Sequence, residues 1–159
     1  VLASARFDAE TTGEELDQRT RVPLRAQGLD YLHGTGHGVG HLLSVHEGPH
    51  TISPRGKDCH VLPGMISSDE PGVYLEGKYG IRTENELVCH KAEKNEYGQF
   101  MNFENITYAP IDLDAIDPDE MTGREKKMLN DYHAMVYKTL SPYMTPEENE
   151  WLKKYTRAI

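Results

Sequence analysis

Five of the eight histidines in this 159-residue sequence lie between residues 33 and 50, and two of them belong to the stretch His46-Glu47-Gly48-Pro49-His50. This stretch fits the H-E-x-x-H pattern, in which two histidines on one helix face bind zinc and the glutamate is a general base. The pattern requires a helix, because only there do positions i and i+4 lie about one turn apart on one face. Gly48-Pro49 opposes a helix, because proline lacks an N–H and restricts the residue before it. We therefore expect no zinc-protease helix here.

The preceding stretch, HGTGHGVGH (residues 33–41), contains three histidines spaced by four and a glycine at every second position from residue 34. Each glycine costs a helix about 1 kcal/mol, so an extended chain is favoured. In an extended strand His33, His37 and His41 face the same side, with successive ones about 13 Å apart. One metal ion can therefore bind at most one of them, and the others line the same groove. The alternative is a glycine-rich loop with solvated histidines.

Two glutamates are expected to face each other across a hairpin. Residues 65–74 (MISSDEPGVY) and 79–90 (YGIRTENELVCH) predict two strands, and Gly77 lies in the turn between them. Glu70 then lies opposite or nearly opposite Glu84. Like charges that face each other across strands are destabilising, so two inward carboxylates need a cation or a shared proton.

Two explanations of this carboxylate pair remain open. Arg82 shares the face of Glu84 and can neutralise part of the charge in a Glu–Arg–Glu cluster. Alternatively, Glu70, Glu84 and one histidine of the 33–46 groove hold a metal ion, because carboxylate and imidazole ligands suit Mn, Zn, Co or Fe(II). The Cys-His pairs at 59–60 and 89–90 lack the usual zinc spacing, so we expect no Cys₂His₂ site.

The elements that must position these residues follow from capping and periodicity. Thr12 and Glu15 have the spacing of a capping box, and they predict a helix over residues 12–27 that Pro23 kinks or shortens. Gly28 is a natural stop for this helix. Further elements are predicted in three segments: an extended one at 99–113, a helix that begins with Thr122 and Glu125, and a helix that begins with Thr145-Pro146 and Glu148.

Composition excludes several partners. The formal net charge of −9 makes nucleic acid and anionic membrane poor partners. No apolar run approaches the ~20 residues that span a bilayer. Two cysteines make no disulfide framework, so a reducing, cytoplasmic compartment is expected. The chain begins with valine, and we expect a fragment or a processed product.

Three stretches together resemble the Xaa-Pro aminopeptidases (aminopeptidase P) of the pita-bread metallopeptidase superfamily: HGTGHGVGHLLSVHEGP, PGMISSDEPGVYLEG and YGIRTENELV. The resemblance covers about residues 29–110. It implies an α+β fold, the second half of a pita-bread domain, with a curved, mostly antiparallel sheet and helices on one face. By this resemblance residues 1–110 belong to the catalytic domain, 111–121 are an acidic linker and 122–159 are a helical C-terminal extension.

The resemblance also implies a site with two divalent ions, usually Mn²⁺. This site hydrolyses the bond between an N-terminal residue and a following proline, so the partners are peptides with proline in second position. His37 is similar in position to the histidine metal ligand. Glu70 resembles a carboxylate ligand that is also the general base, and Glu84 resembles the carboxylate that bridges both ions.

Four further side chains acquire expected roles from the same resemblance. His33 and His46 are similar to two groove histidines that position the substrate and stabilise the tetrahedral intermediate. Arg82 resembles an arginine that supports the site, and Tyr74 lines the substrate groove.

One departure from the family pattern concerns the remaining ligands. The family uses two aspartates from an upstream hairpin, and this chain has neither. We therefore expect a C-terminal piece of a cytoplasmic enzyme that alone binds metal weakly, lacks useful peptidase activity and forms a homo-oligomer. A prolidase-like dipeptidase and a non-catalytic pita-bread module that binds peptides remain as alternatives.

Overall fold

The computed structural model describes residues 1–42 and 44–159, which form two compact units, Val1–Thr107 and Tyr108–Ile159. The first unit begins with a 3-10 turn at Leu2–Ser4. It then contains β1 (Arg6–Asp8), α1 (Gly13–Ala26), β2 (Gly36–His37), β3 (Thr51–Ile52), β4 (Ile66–Asp69), β5 (Gly72–Leu75), β6 (Tyr79–Arg82), β7 (Asn85–Asn95) and β8 (Gly98–Asn105).

Antiparallel pairing organises the strands of this unit. The main sheet has the order β1-β8-β7-β4, and two small sheets pair β2 with β3 and β5 with β6. An isolated bridge between Gly38 and Ser67 connects the glycine-rich stretch to β4. One apolar cluster, which includes Leu16 of α1, Ile52 of β3 and Leu87 of β7, packs beneath these elements.

Helix α1 begins with the predicted capping box and extends beyond Pro23. The Thr12 side chain accepts a hydrogen bond from the Glu15 N–H, and the Glu15 carboxylate accepts one from the Thr12 N–H. Of the two effects expected of Pro23, a kink or a shortening of this helix, the shortening is wrong, because the helix continues to Ala26, and the kink stays a prediction. It stops before Gly28, whose φ of 72° lies in the left-handed region that favours glycine.

The predicted hairpin has the expected register but is divided into two parts. Ser68 lies opposite Glu86 in the β4–β7 ladder, and Gly72 lies opposite Arg82 in the β5–β6 ladder. Both pairs fit one hairpin that turns near Gly77. The prediction of two unbroken strands is wrong. The ladder is interrupted at Glu70-Pro71, since proline has no N–H to donate.

The extended chain predicted around the histidines is mostly loop. Within residues 33–41 the strand assignment is limited to Gly36–His37. Residues 41, 42 and 44–46 are turns, bends or irregular, so the strand-like interpretation of HLLSV is wrong where the structure describes it; Leu43 lies outside the described residues. The described residues of HEGPH form no helix, as predicted. The predicted extended segment at 99–113 is also shorter, because β8 ends at Asn105.

The second unit is helical. After 3-10 turns at Leu113–Ala115 and Pro118–Glu120 it contains α2 (Gly123–Leu140), another 3-10 turn at Ser141–Tyr143, and α3 (Pro146–Tyr155). Both helices have the predicted capping boxes. The buried residues of its core are Leu113, Leu129, Tyr132, Val136 and Leu152.

The segment 111–121 takes part in the core of the second unit. Ile111, Ile116 and Met121 pack against it, and Leu113 is buried in it. The three-part division into residues 1–110, 111–121 and 122–159 stays a prediction. Among the helices described here, none has both the length and the apolar character to cross a membrane.

Candidate metal site

Most of the predicted site residues line one cavity of the first unit, with a volume of about 740 Å³. Its lining includes His33, His37, His46, Glu70 and Arg82. The cavity thus joins side chains from the loop before β2, from β2 itself, from the 44–50 loop, and from the ends of β4 and β6. The fold brings these residues together although they are up to 49 positions apart in the sequence.

His37 and Glu70 form the central contact of this cavity. His37 Nε2 lies 3.1 Å from Glu70 Oε1, and His37 Nδ1 lies 3.0 Å from the carbonyl oxygen of Gly38. A carbonyl oxygen only accepts, so Nδ1 carries a proton. In the neutral imidazole the Nε2 lone pair then faces a carboxylate oxygen, and such a pair of acceptors needs a proton or a metal cation between them. Adjacent ligands of an octahedral divalent ion at about 2.1 Å are also about 3 Å apart.

Both oxygens of the Glu70 carboxylate accept hydrogen bonds. Ser68 Oγ donates to Oε1 at 3.0 Å and accepts from the His37 N–H at 3.1 Å. Arg82 Nη1 donates to Oε2 at 3.0 Å. Glu70 is buried, with 8% of its surface exposed, so these contacts are poorly screened by solvent. The sequence predicted no role for Ser68, although the hairpin register places it directly opposite Glu86.

A chain of hydrogen bonds joins Arg82 to His33 through Tyr74. Arg82 Nε donates to the Tyr74 hydroxyl at 2.8 Å, and that hydroxyl lies 2.9 Å from His33 Nε2. His33 Nδ1 lies 2.8 Å from the carbonyl oxygen of Gly34, so it carries the proton and Nε2 accepts from Tyr74. The hydrogen bond that Arg82 donates to Tyr74 raises the pKa of Arg82, and the Glu70 carboxylate raises it further.

The histidines divide between two cavities. The rings of His37 and His46 lie 4.2 Å apart between centroids, on the side of the first cavity. His41, Glu47 and His50 line a second cavity of about 410 Å³. The expectation that His33, His37 and His41 line one groove is therefore wrong, because the chain is extended only over β2 and turns beyond it.

A buried ionic network supports the loop that carries His33. Arg21 donates to Asp17 at 2.8 and 2.9 Å, and to the carbonyl oxygen of His33 at 2.6 Å. Asp17 also accepts from the Thr35 hydroxyl at 2.7 Å. Burial alone would lower the pKa of Arg21, but hydrogen bonds with Asp17 and Asp30 raise it. This network was not predicted, because a single sequence does not reveal which i,i+4 pair is buried.

Glu84 and Glu86 complete the acidic side of this region. Glu84 is exposed and lies between β6 and β7. Burial raises the pKa of Glu86, and the Glu84 carboxylate raises it further. Across residues 1–42 and 44–159, no three His, Cys, Asp or Glu side chains converge closely enough to hold a metal ion. His37 and Glu70 thus form a pair of candidate metal ligands. Glu84 does not complete a group of three with them.

Family models match almost the whole chain. The model for metallopeptidase family M24 matches residues 1–91, and the model for the C-terminal region of M24 peptidases matches residues 99–159. The chain belongs to metallopeptidase family M24. The resemblance stated from the three sequence stretches is confirmed.

Curated relatives of this M24 chain are aminopeptidases. Aminopeptidase P1 of Arabidopsis thaliana is 46% identical over 164 residues, which cover 100% of this chain and 25% of that protein. A probable Xaa-Pro aminopeptidase P of Coprinopsis cinerea is 42% identical over 166 residues, and the match covers 27% of it. The chain thus spans about a quarter of the length of these relatives.

Solved structures of the family have the same fold. X-prolyl aminopeptidase from Caenorhabditis elegans, described as a cytosolic enzyme with a di-nuclear active site, superposes with a TM-score of 0.89 at 37% identity. The match covers 99% of this chain and 26% of that one. The Xaa-Pro dipeptidase of Bacillus anthracis superposes with a TM-score of 0.52 at 33% identity and covers 68% of this chain. The α+β, pita-bread fold prediction is confirmed.

The residues present fit the chemistry of a divalent ion. An imidazole and a carboxylate that face each other at 3.1 Å are donors of the right kind, and the fixed proton on His37 Nδ1 leaves Nε2 free to coordinate. A Glu–Arg contact is also present, so Arg82 neutralises part of the Glu70 charge in the absence of metal. The individual roles of His33, His37, His46, Glu70, Tyr74, Arg82 and Glu84 stay predictions.

Proposed function

We propose that this chain is the C-terminal part of a dinuclear-metal aminopeptidase that removes an N-terminal residue from peptides with proline in second position. The observation that carries the proposal is the contact between His37 Nε2 and Glu70 Oε1, an imidazole and a carboxylate at the spacing of adjacent ligands of a divalent ion. Relatives named as aminopeptidase P or Xaa-Pro aminopeptidase P support the substrate class.

In this proposal His37, Glu70 and Glu84 hold metal, and two further carboxylates come from outside this chain. Two bound divalent ions supply an activated water and polarise the scissile carbonyl. We assign Glu70 as the general base, and Ser68 and Arg82 hold its carboxylate in one orientation within a buried environment. Mn²⁺ is the proposed metal, since the donors are oxygen and imidazole rather than thiolate.

The groove residues orient the substrate in this proposal. The His33 ring contacts Tyr74 through one nitrogen and the Gly34 carbonyl through the other, so its orientation is fixed. His46 lies against His37 at the cavity wall, where it can contact a peptide beside the reacting centre. We assign both histidines to substrate positioning and to stabilisation of the tetrahedral intermediate.

A prolidase-like dipeptidase is the second candidate. It shares the chemistry and differs in the length of peptide accepted. The aminopeptidase proposal is preferred because relatives that match the whole length of this chain, at 46% and 42% identity, are named as aminopeptidases. A non-catalytic peptide-binding module is a third possibility, and the presence of His37, Glu70 and Glu84 argues against it.

The deciding experiment uses the full-length protein that contains this chain, loaded with Mn²⁺. We expect release of the first residue from an Arg-Pro-Pro tripeptide and from longer peptides, and loss of at least 100-fold in kcat in His37→Ala. Cleavage of Xaa-Pro dipeptides alone would favour the dipeptidase. Peptide binding without any cleavage would favour the module and contradict the proposal.

Three further properties complete the proposal. The 159-residue chain alone is expected to bind metal weakly and to lack useful activity, because two ligands are absent from it.

A cytoplasmic location is proposed from the two cysteines, both free in the structure, and from the cytosolic C. elegans relative. A homo-oligomer is proposed from exposed apolar side chains of the β5–β6 hairpin.

A further inference from the structure

The backbone of Glu70 is held by Thr35, a residue with no assigned role so far. The ladder between β4 and β7 ends at the pair Asp69–Asn85, so the Glu70 N–H lies beyond it. This N–H donates to the carbonyl oxygen of Thr35 at 2.8 Å. Pro71 follows Glu70 and has no N–H with which to continue the ladder. The Thr35 carbonyl therefore fixes the point from which the Glu70 side chain extends into the first cavity.

Three buried side chains hold Thr35 in a chain of hydrogen bonds, the hydroxyl chain of Tyr31, Thr35 and Asp17. The Asp17 carboxylate is paired with Arg21 and only accepts, so the Thr35 hydroxyl donates to its Oδ1 at 2.7 Å. That hydroxyl has a single hydrogen, so the Tyr31 hydroxyl that contacts it is the donor of their bond. Burial raises the pKa of Tyr31, which keeps this donor protonated. Every hydrogen of the hydroxyl chain therefore has a defined direction that ends on Asp17.

A separate set of contacts holds the other end of the 31–35 segment. Arg21 donates to the carbonyl oxygens of Tyr31 and His33 at 2.6 Å each. Its guanidinium lies 4.0 Å from the centre of the Tyr31 ring, and the Tyr31 and His33 rings lie 4.9 Å apart. Arg21 thus anchors the part of the segment that carries His33, whereas the Thr35 hydroxyl anchors the part that contacts Glu70.

We propose that Thr35 is a positioning residue for Glu70, whose hydroxyl transmits the fixed position of Asp17 on α1 to the backbone of the general base. The inference rests on the proposed function, because it takes Glu70 as the general base of peptide hydrolysis. Thr35 is fully buried, so it acts through Glu70 and not by contact with a peptide. Such support matters for the rate, since a displacement of about 1 Å at a reacting group can cost about 100-fold.

The test compares Thr35→Val with Thr35→Ser in the full-length protein loaded with Mn²⁺, with an Arg-Pro-Pro tripeptide as substrate. Valine keeps the shape of threonine and removes the hydroxyl, whereas serine keeps the hydroxyl. We expect kcat to fall about tenfold in Thr35→Val. KM should stay within about twofold of wild type, because Arg21 still holds the groove residue His33. Thr35→Ser should restore kcat to within about twofold of wild type.

Thr20→Val is the matched control for the loss of a buried hydroxyl. Thr20 also lies buried on α1, and its hydroxyl donates to the Leu16 carbonyl at 2.8 Å, within the helix. This variant leaves the hydroxyl chain intact, so kcat should remain that of wild type. If Thr20→Val lowers kcat as much as Thr35→Val does, the effect is one of general stability and the inference is overturned.

Hydrogen exchange of the Glu70 amide tests the contact apart from activity. It is measured by NMR on the metal-free 159-residue chain. The protection of this amide should fall about tenfold in Thr35→Val and stay unchanged in Thr20→Val, because only the first substitution loosens the acceptor carbonyl. Equal protection of the Glu70 amide in wild type and Thr35→Val would overturn the inference.

The proposed function and this inference fail in different ways. If the wild-type full-length protein cleaves the tripeptide and Thr35→Val does so with an unchanged kcat, the proposed function stands and the inference on Thr35 is wrong. If the wild-type protein loaded with Mn²⁺ cleaves no peptide, both are contradicted.

Discussion

The proton on His37 Nδ1 is the residue-scale feature on which the chemistry depends. The Gly38 carbonyl accepts from Nδ1, so the opposite nitrogen, Nε2, is the one that faces Glu70. The sequence could predict His37 and Glu70 as donors from their types and from the hairpin register. It could not predict the tautomer, because the loop that supplies the Gly38 carbonyl is not periodic.

At the same scale, Asp17 and Arg21 are expected to stabilise the site loop. Their side chains are 1% and 2% exposed, so Asp17→Asn removes the buried carboxylate that accepts two hydrogen bonds from Arg21 and leaves the guanidinium with Asp30, which is 37% exposed, as its one charged partner. We predict a loss of about 3–5 kcal/mol in the free energy of unfolding, measured by urea titration followed by circular dichroism. Glu93→Gln removes an exposed partner of Arg6 and should cost about 0–1 kcal/mol. Equal effects of both substitutions would contradict this account.

His133 gives the second unit a pH dependence. It is fully buried, and its Nε2 accepts from the Ile111 N–H at 3.1 Å, which requires the neutral ring. Burial lowers its pKa, and the Arg157 charge contributes in the same direction. The unfolded chain then binds a proton that the folded unit does not, so stability should fall as pH drops through about 6.5 and below.

Trp151 lies in the second unit and is the single tryptophan, so its fluorescence reports on unfolding of that unit. Urea titrations at pH 7.5 and pH 5.5 should give a lower midpoint at the acid pH. His133→Gln keeps an acceptor and should reduce the difference between the two midpoints. An unchanged difference would show that other groups cause it.

Strand β2 shows how elements bring distant residues together. A Cβ on Gly36 would lie 2.0 Å from the backbone oxygen of Ser68, so only glycine permits this approach of β2 to β4. This approach places His37 beside Glu70. We predict that Gly36→Ala costs about 1–3 kcal/mol in the free energy of unfolding and weakens Mn²⁺ binding. Gly123→Ala adds a methyl group in open space and is the control, with neither effect expected.

The sequence predicted the starts of the helices better than it predicted the pairing of distant strands. All three helix starts follow from a threonine and a glutamate three residues later, because capping depends on neighbouring residues alone. The hairpin register also followed from sequence. The break at Glu70-Pro71 and the short β2 did not, since these depend on which strands the loops bring together.

The whole molecule exposes an apolar surface on the β5–β6 hairpin. Tyr79 and Ile81 are 55% and 51% exposed, and they lie opposite Leu75 and Val73. Because such surface favours association, we predict that the 159-residue chain is dimeric or larger in light scattering at high concentration. Ile81→Lys should lower the average mass, whereas Tyr97→Lys, on the β7–β8 turn, should not. A wild-type monomer would contradict the prediction.

Metal coordination by His37 is the central claim for the molecule, and pulsed EPR of bound Mn²⁺ tests it most directly. Electron spin-echo modulation from ¹⁴N reports an imidazole that is coordinated to the ion. The account predicts this modulation in the wild-type chain and in His46→Ala, and its loss in His37→Ala. Modulation that survives in His37→Ala, or its absence from the wild-type chain at saturating Mn²⁺, would contradict the account.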